Sequence, residues 1–334
     1  MTMRQIASRR RVLGILAATA GLSLPAATTA RAEAPLVTWR GPVLGAVGSI
    51  ALHHPDRVAA ERLIARSLAE IRRLEALFSL WRTDSWLSEL NRRGVLVAPP
   101  PDMVRLLTAA LRFAELTDGM FDPTVQPLWR LYQSHFEAAG ADPHGPTQDA
   151  LEEALSRVSH RHLRVTPDRI VLARRGMALT LNGIAQGYLT DRVVDLLRAG
   201  GVAKTLVDLG EARAVGTHPS GRPWRAELDD PAAPGQPWGR VDLTDRALAT
   251  SGDEGFVFDA AGRFTHLLDP RTGRSPRLHR AVSVLASEAM VADALSTAFA
   301  LMPEPRIAAM LRALPGVEAH LLRADGTAVL LSGA

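Results

Sequence analysis

The sequence predicts an α+β fold, and three observations carry that expectation. Apolar residues recur at helical spacing over residues 56–78 and 103–116. From about residue 205 to 285 the chain breaks into short strand-like runs separated by Gly, Pro and Asp. The two kinds of segment do not alternate in the strand–helix–strand beat of a parallel sheet. With 334 residues and 47% hydrophobic content, the chain can bury a full core as one large domain or two small ones.

The elements follow in order. Residues 1–32 stand apart: Ser8-Arg9-Arg10-Arg11-Val12-Leu13 precedes an apolar run over 12–24, and Ala30-Arg31-Ala32 offers a small-residue cleavage site. The run is shorter than the roughly 20 residues that span a bilayer. The paired arginines read as a twin-arginine export signal, which predicts a periplasmic mature protein of residues 33–334. Residues 36–53 then read as strand, turn and strand around Gly41-Pro42 and Gly45. Val58, Leu63, Ile64, Leu68, Ile71, Leu74 and Leu77 set the first helix, and Asp118-Gly119 stops the second. Residues 138–146, crowded with Ala, Pro and Gly, predict a surface loop. Residues 163–165 and 170–173 suggest a hairpin, and 187–199 a helix. Strands are expected at 205–209, 224–228, 240–243, 247–250, 256–258, 264–268 and 281–285. A helix at about 289–301, another helix and two strands close the chain.

Charge and composition exclude several functions. The leader carries five arginines and no acid, so its removal takes the net charge from +4 to −1. No basic stripe is interleaved with aromatics, which argues against a nucleic-acid partner. There is no cysteine. Disulfides, thiolate metal sites and cysteine nucleophiles are therefore excluded together, and any metal must be held by oxygen or imidazole.

Four segments carry candidate chemistry. Leu179 to Asp191 reads as a strand that stops at a small-residue turn and restarts as a helix. Asn182, Gly183 and Gly187 allow close backbone approach, and free N–H groups at a helix start suit an anion such as pyrophosphate. The same glycines could equally cap or pack. Asp293 and Thr297 stand four apart and share a helix face. As hard oxygen donors they suit Mg²⁺, although Asp293 could also be a paired acid in a buried, alanine-rich helix. Thr250-Ser251-Gly252-Asp253 offers hydroxyls for a phosphate or flavin edge, or an ordinary hairpin turn. Asp269-Pro270-Arg271-Thr272-Gly273 makes a rigid turn and places His266 on the strand before it. There the imidazole could take a proton from an attacking hydroxyl, or sit satisfied and half-buried.

Taken together these segments resemble the FAD:protein FMN transferases, the ApbE-like flavin transferases, over nearly all of the mature chain. Gly41-Pro42-Val43-Leu44-Gly45-Ala46 is similar to the family's N-terminal strand. Residues 78–85 with Asn91 and Gly94 resemble its Ser–Asn–Gly block, and Gly119-Met120-Phe121-Asp122-Pro123-Thr124 its flavin loop. The glycine turn, the Thr-Ser-Gly turn, the His-x-x-Asp-Pro-Arg-Thr-Gly turn and the Ala-Asp-Ala-Leu-Ser-Thr helix follow in the family's order.

The resemblance implies a T-fold-like architecture with FAD in a cleft. It implies Asp293, Thr297 and the backbone carbonyl of Gly183 as ligands of Mg²⁺, with Mn²⁺ as the substitute. It implies His266 as general base, and Leu44, Trp81, Met120, Phe121, Asp122 and Leu268 as flavin contacts. Thr180, Gln186, Thr250 and Ser251 complete the implied FAD wall. The implied reaction moves FMN from FAD to a Ser or Thr hydroxyl of an acceptor protein and releases AMP. The family usually has Asp at Thr180, Gly at Asn182, Lys or Glu at Gln186, Gly-Gly-Asp at Gly210-Glu211-Ala212, and Met at Leu44. The Asn-Gly-Ile-Ala-Gln-Gly variant resembles the NosX-like branch that accompanies nitrous oxide reduction, which implies a membrane-bound FMN-binding domain as acceptor. Two alternatives remain at this level: Mg²⁺-dependent hydrolysis of FAD, and FAD binding without turnover.

Overall fold

The computed structural model describes residues 35–43, 46–233, 235–253 and 255–333. The expected export signal at 1–32 and Leu44 lie outside the described residues.

An eight-stranded antiparallel sheet forms the centre. In spatial order it contains β1 (Leu36–Val43), β2 (Ala46–His53), β6 (Thr205–Asp208), β7 (Ala212–Val215), β10 (Ala247–Gly252), β11 (His279–Ala286), β12 (Glu318–Arg323) and β13 (Ala328–Ser332). A three-stranded sheet joins β3 (Val95–Val97), β5 (Arg169–Leu172) and β4 (Leu163–Val165), and a hairpin joins β8 (Trp224–Asp229) to β9 (Pro237–Leu243). The helices are α1 (Arg57–Phe78), α2 (Trp86–Arg93), α3 (Pro101–Leu116), α4 (Gln126–Glu137), α5 (Gln148–Leu155), α6 (Ala185–Ala199), α7 (Ala289–Ala300) and α8 (Glu304–Leu311).

The period-2 alternation of strands explains the layers. Val207, Val215, Ala249, Val282 and Val284 face the helical core, while Leu206, Ala214, Leu248 and Leu285 face the β8–β9 hairpin. That hairpin brings Trp224, Ala226, Leu228, Val241 and Leu243 against the second face. On the helical face α7 lies on β10 and β11, α6 on α7, and α1 on α6. The mixed, antiparallel arrangement is the α+β fold that the patterning predicts.

Local chemistry sets the helix ends. The Asp56 side chain accepts from Val58 N–H at 2.8 Å and Ala59 N–H at 3.1 Å, which starts α1. The apolar stripe of α1, from Leu63 through Phe78, is buried. Three helices go beyond the sequence expectation: α2, α4 and α5. Their start signals are short but physical. The Ser85 hydroxyl accepts from Ser88 N–H, Pro127 opens α4, and the Thr147 hydroxyl accepts from Ala150 N–H.

Two expected strands shrink to a single bridge between Val257 and Thr265. The ladder stops after two backbone bonds, Phe258 N–H to Phe264 O at 2.8 Å and His266 N–H to Phe256 O at 3.0 Å, because Asp259 Oδ1 accepts from Arg263 N–H and Phe264 N–H. Phe258 and Phe264 turn onto Tyr132 of α4 at 5.5 Å between ring centroids. His266 therefore sits in an irregular segment after the bridge, not on a strand. Nor does a strand precede the glycine turn, since residues 177–181 join no ladder.

Candidate active site

The glycine turn is held by two distant segments. Asn91 on α2 brackets Leu179: its Nδ2 donates to Leu179 O at 2.9 Å, and Leu179 N–H donates to its Oδ1 at 2.6 Å. The amide side chain thus stands in for a neighbouring strand. Thr180 N–H donates to Pro123 O at 2.8 Å, which fixes the flavin loop beside the turn.

Beyond the turn, α6 crosses α7 at very close range. A Cβ on Gly187 would fall 2.4 Å from Ala289 O, so only glycine fits. Gly187 N–H donates to Asp293 Oδ2 at 3.0 Å. This N–H is one of those that the sequence reading offers to an anion; it is already used by a carboxylate of the same protein. Four residues along, Asp191 Oδ1 accepts from Ala289 N–H at 2.8 Å and Oδ2 from Met290 N–H at 2.9 Å, and Arg213 pairs with Oδ1 at 2.5 Å. Burial pushes the Asp191 carboxyl above its ordinary range, against the pull of Arg213 and the two backbone donors.

Gly183 meets α7 one turn further on. A Cβ there would lie 2.7 Å from Thr297 Oγ1, so the missing side chain opens the space in front of that hydroxyl. Ser251 at the end of β10 completes the corner, with its Oγ 2.9 Å from Ser296 Oγ and 3.4 Å from Thr297 Oγ1.

Across from this corner stands His266. Its N–H donates to Phe256 O at 3.0 Å, and its Nδ1 lies 3.2 Å from both the N and the O of Phe256. One ring nitrogen is thereby tied to the backbone of a single residue, whichever tautomer is present. The following turn is rigid: Gly273 N–H donates to Asp269 O at 2.8 Å, and Asp269 Oδ1 accepts from Arg271 N–H at 2.8 Å. Gly273 has φ +69° and packs so tightly on Leu151 that a Cβ would lie 2.6 Å away.

These pieces line one open cleft. Met120, Phe121, Asp122, Thr180, Gly183, His266, Leu268 and Thr297, all picked out from the sequence, form its walls with Pro123, Val125, Leu267, Pro270 and Leu301. Asp293 lies beneath, 3% exposed. Gln186 is buried under Gly210, where a Cβ would fall 2.4 Å from its Nε2. Thr250 turns its hydroxyl to Ser283 Oγ at 2.8 Å, away from the lining. Trp81 is 58% exposed and stands outside the walls, edge-on to Trp129 at 6.2 Å. Asp122 contributes its place in the wall but not its charge. Its Oδ1 accepts from Thr124 N–H and Oγ1, and its Oδ2 accepts from His160 N–H at 2.9 Å and lies 3.0 Å from His160 Nδ1. His160, Asp191 and Ser296 are support residues that the sequence reading did not single out; they act across 38, 98 and 45 positions, where no local pattern points to them.

The donor set fits a hard divalent cation. Among the described residues no group of three or more His, Cys, Asp or Glu is poised for a metal. A site of one carboxylate, one hydroxyl and one carbonyl has no such group, and Mg²⁺ takes its other positions from water and phosphate. The room left by the absent Gly183 side chain, directly against Thr297 Oγ1, supports that fit.

Oxygen donors on one side of a glycine-walled cleft and an anchored imidazole on the other define a site for chemistry on a phosphate ester. Comparison with known proteins narrows the class. The model of the ApbE family matches residues 44–321, and the chain belongs to that family. A FAD:protein FMN transferase of Treponema pallidum (strain Nichols) is 34% identical over 274 residues, covering 75% of this chain and 74% of its own length. The flavinyl transferase ApbE of Pseudomonas stutzeri, solved in its apo form, superposes with TM-score 0.76 at 28% identity, covering 90% of this chain and 96% of that one. The flavin transferase ApbE of Vibrio cholerae gives TM-score 0.76 at 27% identity, covering 90% and 98%.

Proposed function

We propose that this protein transfers FMN from FAD to a hydroxyl of an acceptor protein and releases AMP. The observation that carries the reading is the convergence, in a chain of the ApbE family, of His266, the flavin loop, the glycine turn and the α7 oxygen donors on one cleft. In the reaction the acceptor oxygen attacks the FMN-side phosphorus of the pyrophosphate. The bond from that phosphorus to the bridging oxygen breaks, and the bridging oxygen leaves with AMP. The acceptor proton goes to His266: with Nδ1–H donating to Phe256 O, the ring orientation is fixed and the Nε2 lone pair is left to take the proton. Phe121, Met120 and Leu268 present apolar surface to the flavin, and Thr180 stands where the pyrophosphate passes the turn.

Asp293, Thr297 and the Gly183 carbonyl would hold Mg²⁺, with Mn²⁺ as a substitute, and the cation would neutralise charge on the pyrophosphate. The acceptor residue in this reading is Ser or Thr on a membrane-bound FMN-binding domain. The leader at 1–32 supports export to the periplasm.

The test is incubation of the mature protein with FAD, Mg²⁺ and a candidate acceptor, reading flavin fluorescence on the acceptor in a denaturing gel. His266→Asn should still bind FAD yet label about 10²–10⁴-fold more slowly. FMN and AMP appearing with no label on any acceptor would instead make the protein a FAD hydrolase. Equal labelling by His266→Asn would remove the base from His266.

A further inference from the structure

The hydroxyls around α7 form a chain whose direction is set at one end. Ser296 Oγ–H donates to Asp293 O at 3.0 Å, and a carbonyl can only accept. A hydroxyl has one hydrogen, so Ser296 Oγ can meet Ser251 only as acceptor. Ser251 Oγ–H therefore donates to Ser296 Oγ across 2.9 Å. With its hydrogen used, Ser251 Oγ can meet Thr297 only as acceptor, across 3.4 Å. Thr297 Oγ1–H then points at Ser251, and both Thr297 lone pairs are left for the space beside Gly183.

We infer that Ser251 is a positioning residue for the cation: it turns the Thr297 hydroxyl so that its oxygen, not its hydrogen, faces the site. Sequence reading places Ser251 among the flavin contacts; the geometry gives it a partner on α7 instead. The inference rests on the cation reading of Asp293, Thr297 and Gly183 above. Ser296 is 1% exposed and anchored to the helix backbone, so the chain starts from a fixed point. Ser251 is itself held in register, opposite Val282 on β11. Without Ser251, the Thr297 hydrogen has no acceptor on that side and can swing toward the cation, where it opposes binding. Partners that orient a metal ligand typically matter by about 10–100-fold in affinity.

The experiment is a Mn²⁺ titration by electron paramagnetic resonance on the mature protein with FAD, without acceptor, so that binding is read apart from turnover. Ser251→Ala should weaken Mn²⁺ about 10–100-fold while leaving the melting temperature nearly unchanged, and Ser251→Thr, which keeps the hydroxyl, should recover most of the affinity. Asp293→Ala serves as the reference for loss of a ligand. If the parent and Asp293→Ala bind Mn²⁺ equally, the cation site itself is misplaced. If Asp293→Ala fails to bind while Ser251→Ala binds like the parent, the site stands and the role given to Ser251 is wrong. A Ser251→Thr variant as weak as Ser251→Ala in a folded protein would also overturn it, because the hydroxyl would then not be what matters.

Discussion

Asp191→Ala should destabilise the protein by loosening the helix that carries the oxygen donors. Helix α7 has no side-chain cap of its own: its N-terminal flank, Glu288, makes none. Asp191 supplies the cap from α6, accepting from Ala289 and Met290 N–H at 2.8 and 2.9 Å. Loss of a capping carboxylate costs about 0.5–2 kcal/mol. The larger part comes from Arg213, which is 8% exposed and pairs with Asp191. Breaking a buried pair by removing one partner costs about 3–5 kcal/mol, because the other charge stays behind. The two contributions share one carboxylate and are not additive, so a loss of about 4 kcal/mol is the expectation. For a chain of this length the unfolding entropy is roughly 0.6 kcal/mol per degree, which converts that loss to about 6 °C in melting temperature. Differential scanning calorimetry gives the number directly. A second variant separates the causes: Asp191→Ala with Arg213→Met removes the stranded charge and should recover about half of the loss or more. A single variant within about 1 °C of the parent, or a double variant no more stable than the single, would refute the reasoning.

Three further outcomes follow from the same structure. Gly183→Ala puts a methyl group 2.7 Å from Thr297 Oγ1 and should weaken Mn²⁺ by about 10-fold or more in a calorimetric titration; an unchanged affinity would place the cation elsewhere. His320 is half-buried on β12, and burial lowers its pKa below the ordinary 6.5. The unfolded chain therefore binds that proton at higher pH than the native one, so its contribution is present above about pH 6.5 and is lost as pH falls through the native value. The drop in melting temperature from pH 7 to pH 5 should be smaller in His320→Gln than in the parent, and equal drops would discount the histidine. Finally, periplasmic material should begin at or near Glu33, and Arg9→Lys with Arg10→Lys should hold the protein in the cytoplasm; an intact Met1 in the membrane fraction would make the leader an anchor.

Legibility in the sequence followed the range of the interactions. Helix α1 is readable because its apolar stripe lies within its own 22 residues and its cap, Asp56, immediately precedes them. Seven of the eight sheet strands are readable as short runs, but not their order, and β7 (Ala212–Val215) was not legible at all. β2 pairs with β6 across about 150 residues, and nothing local in Ile50 names Val207 as its partner. The strand expected at 264–268 fails for a physical reason: Asp259 takes the N–H groups that a ladder would have used, while Phe258 and Phe264 leave for the α4 aromatics. Of the site, Met120, Phe121, Asp122, Thr180, Gly183, His266 and Leu268 were legible because each sits in a short turn motif, and Thr297 because it shares a helix face with Asp293; Leu301 was not. Asn91 was legible as part of a block but not as the clamp on Leu179, 88 positions away. Asp191 and Ser296 were not, since their roles exist only once α6, α7 and β10 meet.

Two of the departures from the family pattern, at 186 and 211, acquire a common explanation once the wall behind the cleft is seen. Gln186, Gly210, Glu211 and Thr250 occupy one layer. Gly210, at φ +107°, has no room for a side chain because the Gln186 amide fills that place. Glu211, where the family has glycine, is 8% exposed and accepts from Thr250 N–H through Oε2 at 3.3 Å. Its carbonyl accepts from Thr190 Oγ1 at 2.9 Å, which ties the same residue to α6. An acid has thus appeared at 211 in a chain that carries a neutral amide at 186, where the family usually has a charged side chain. A buried carboxylate is costly unless hydrogen-bonded, and Thr250 N–H provides that bond. The substitutions at 186 and 211 are neighbours in space and are best understood as one rearranged wall rather than as separate losses. They leave untouched the corner formed by Gly183, Asp293 and Thr297 and the anchored ring of His266.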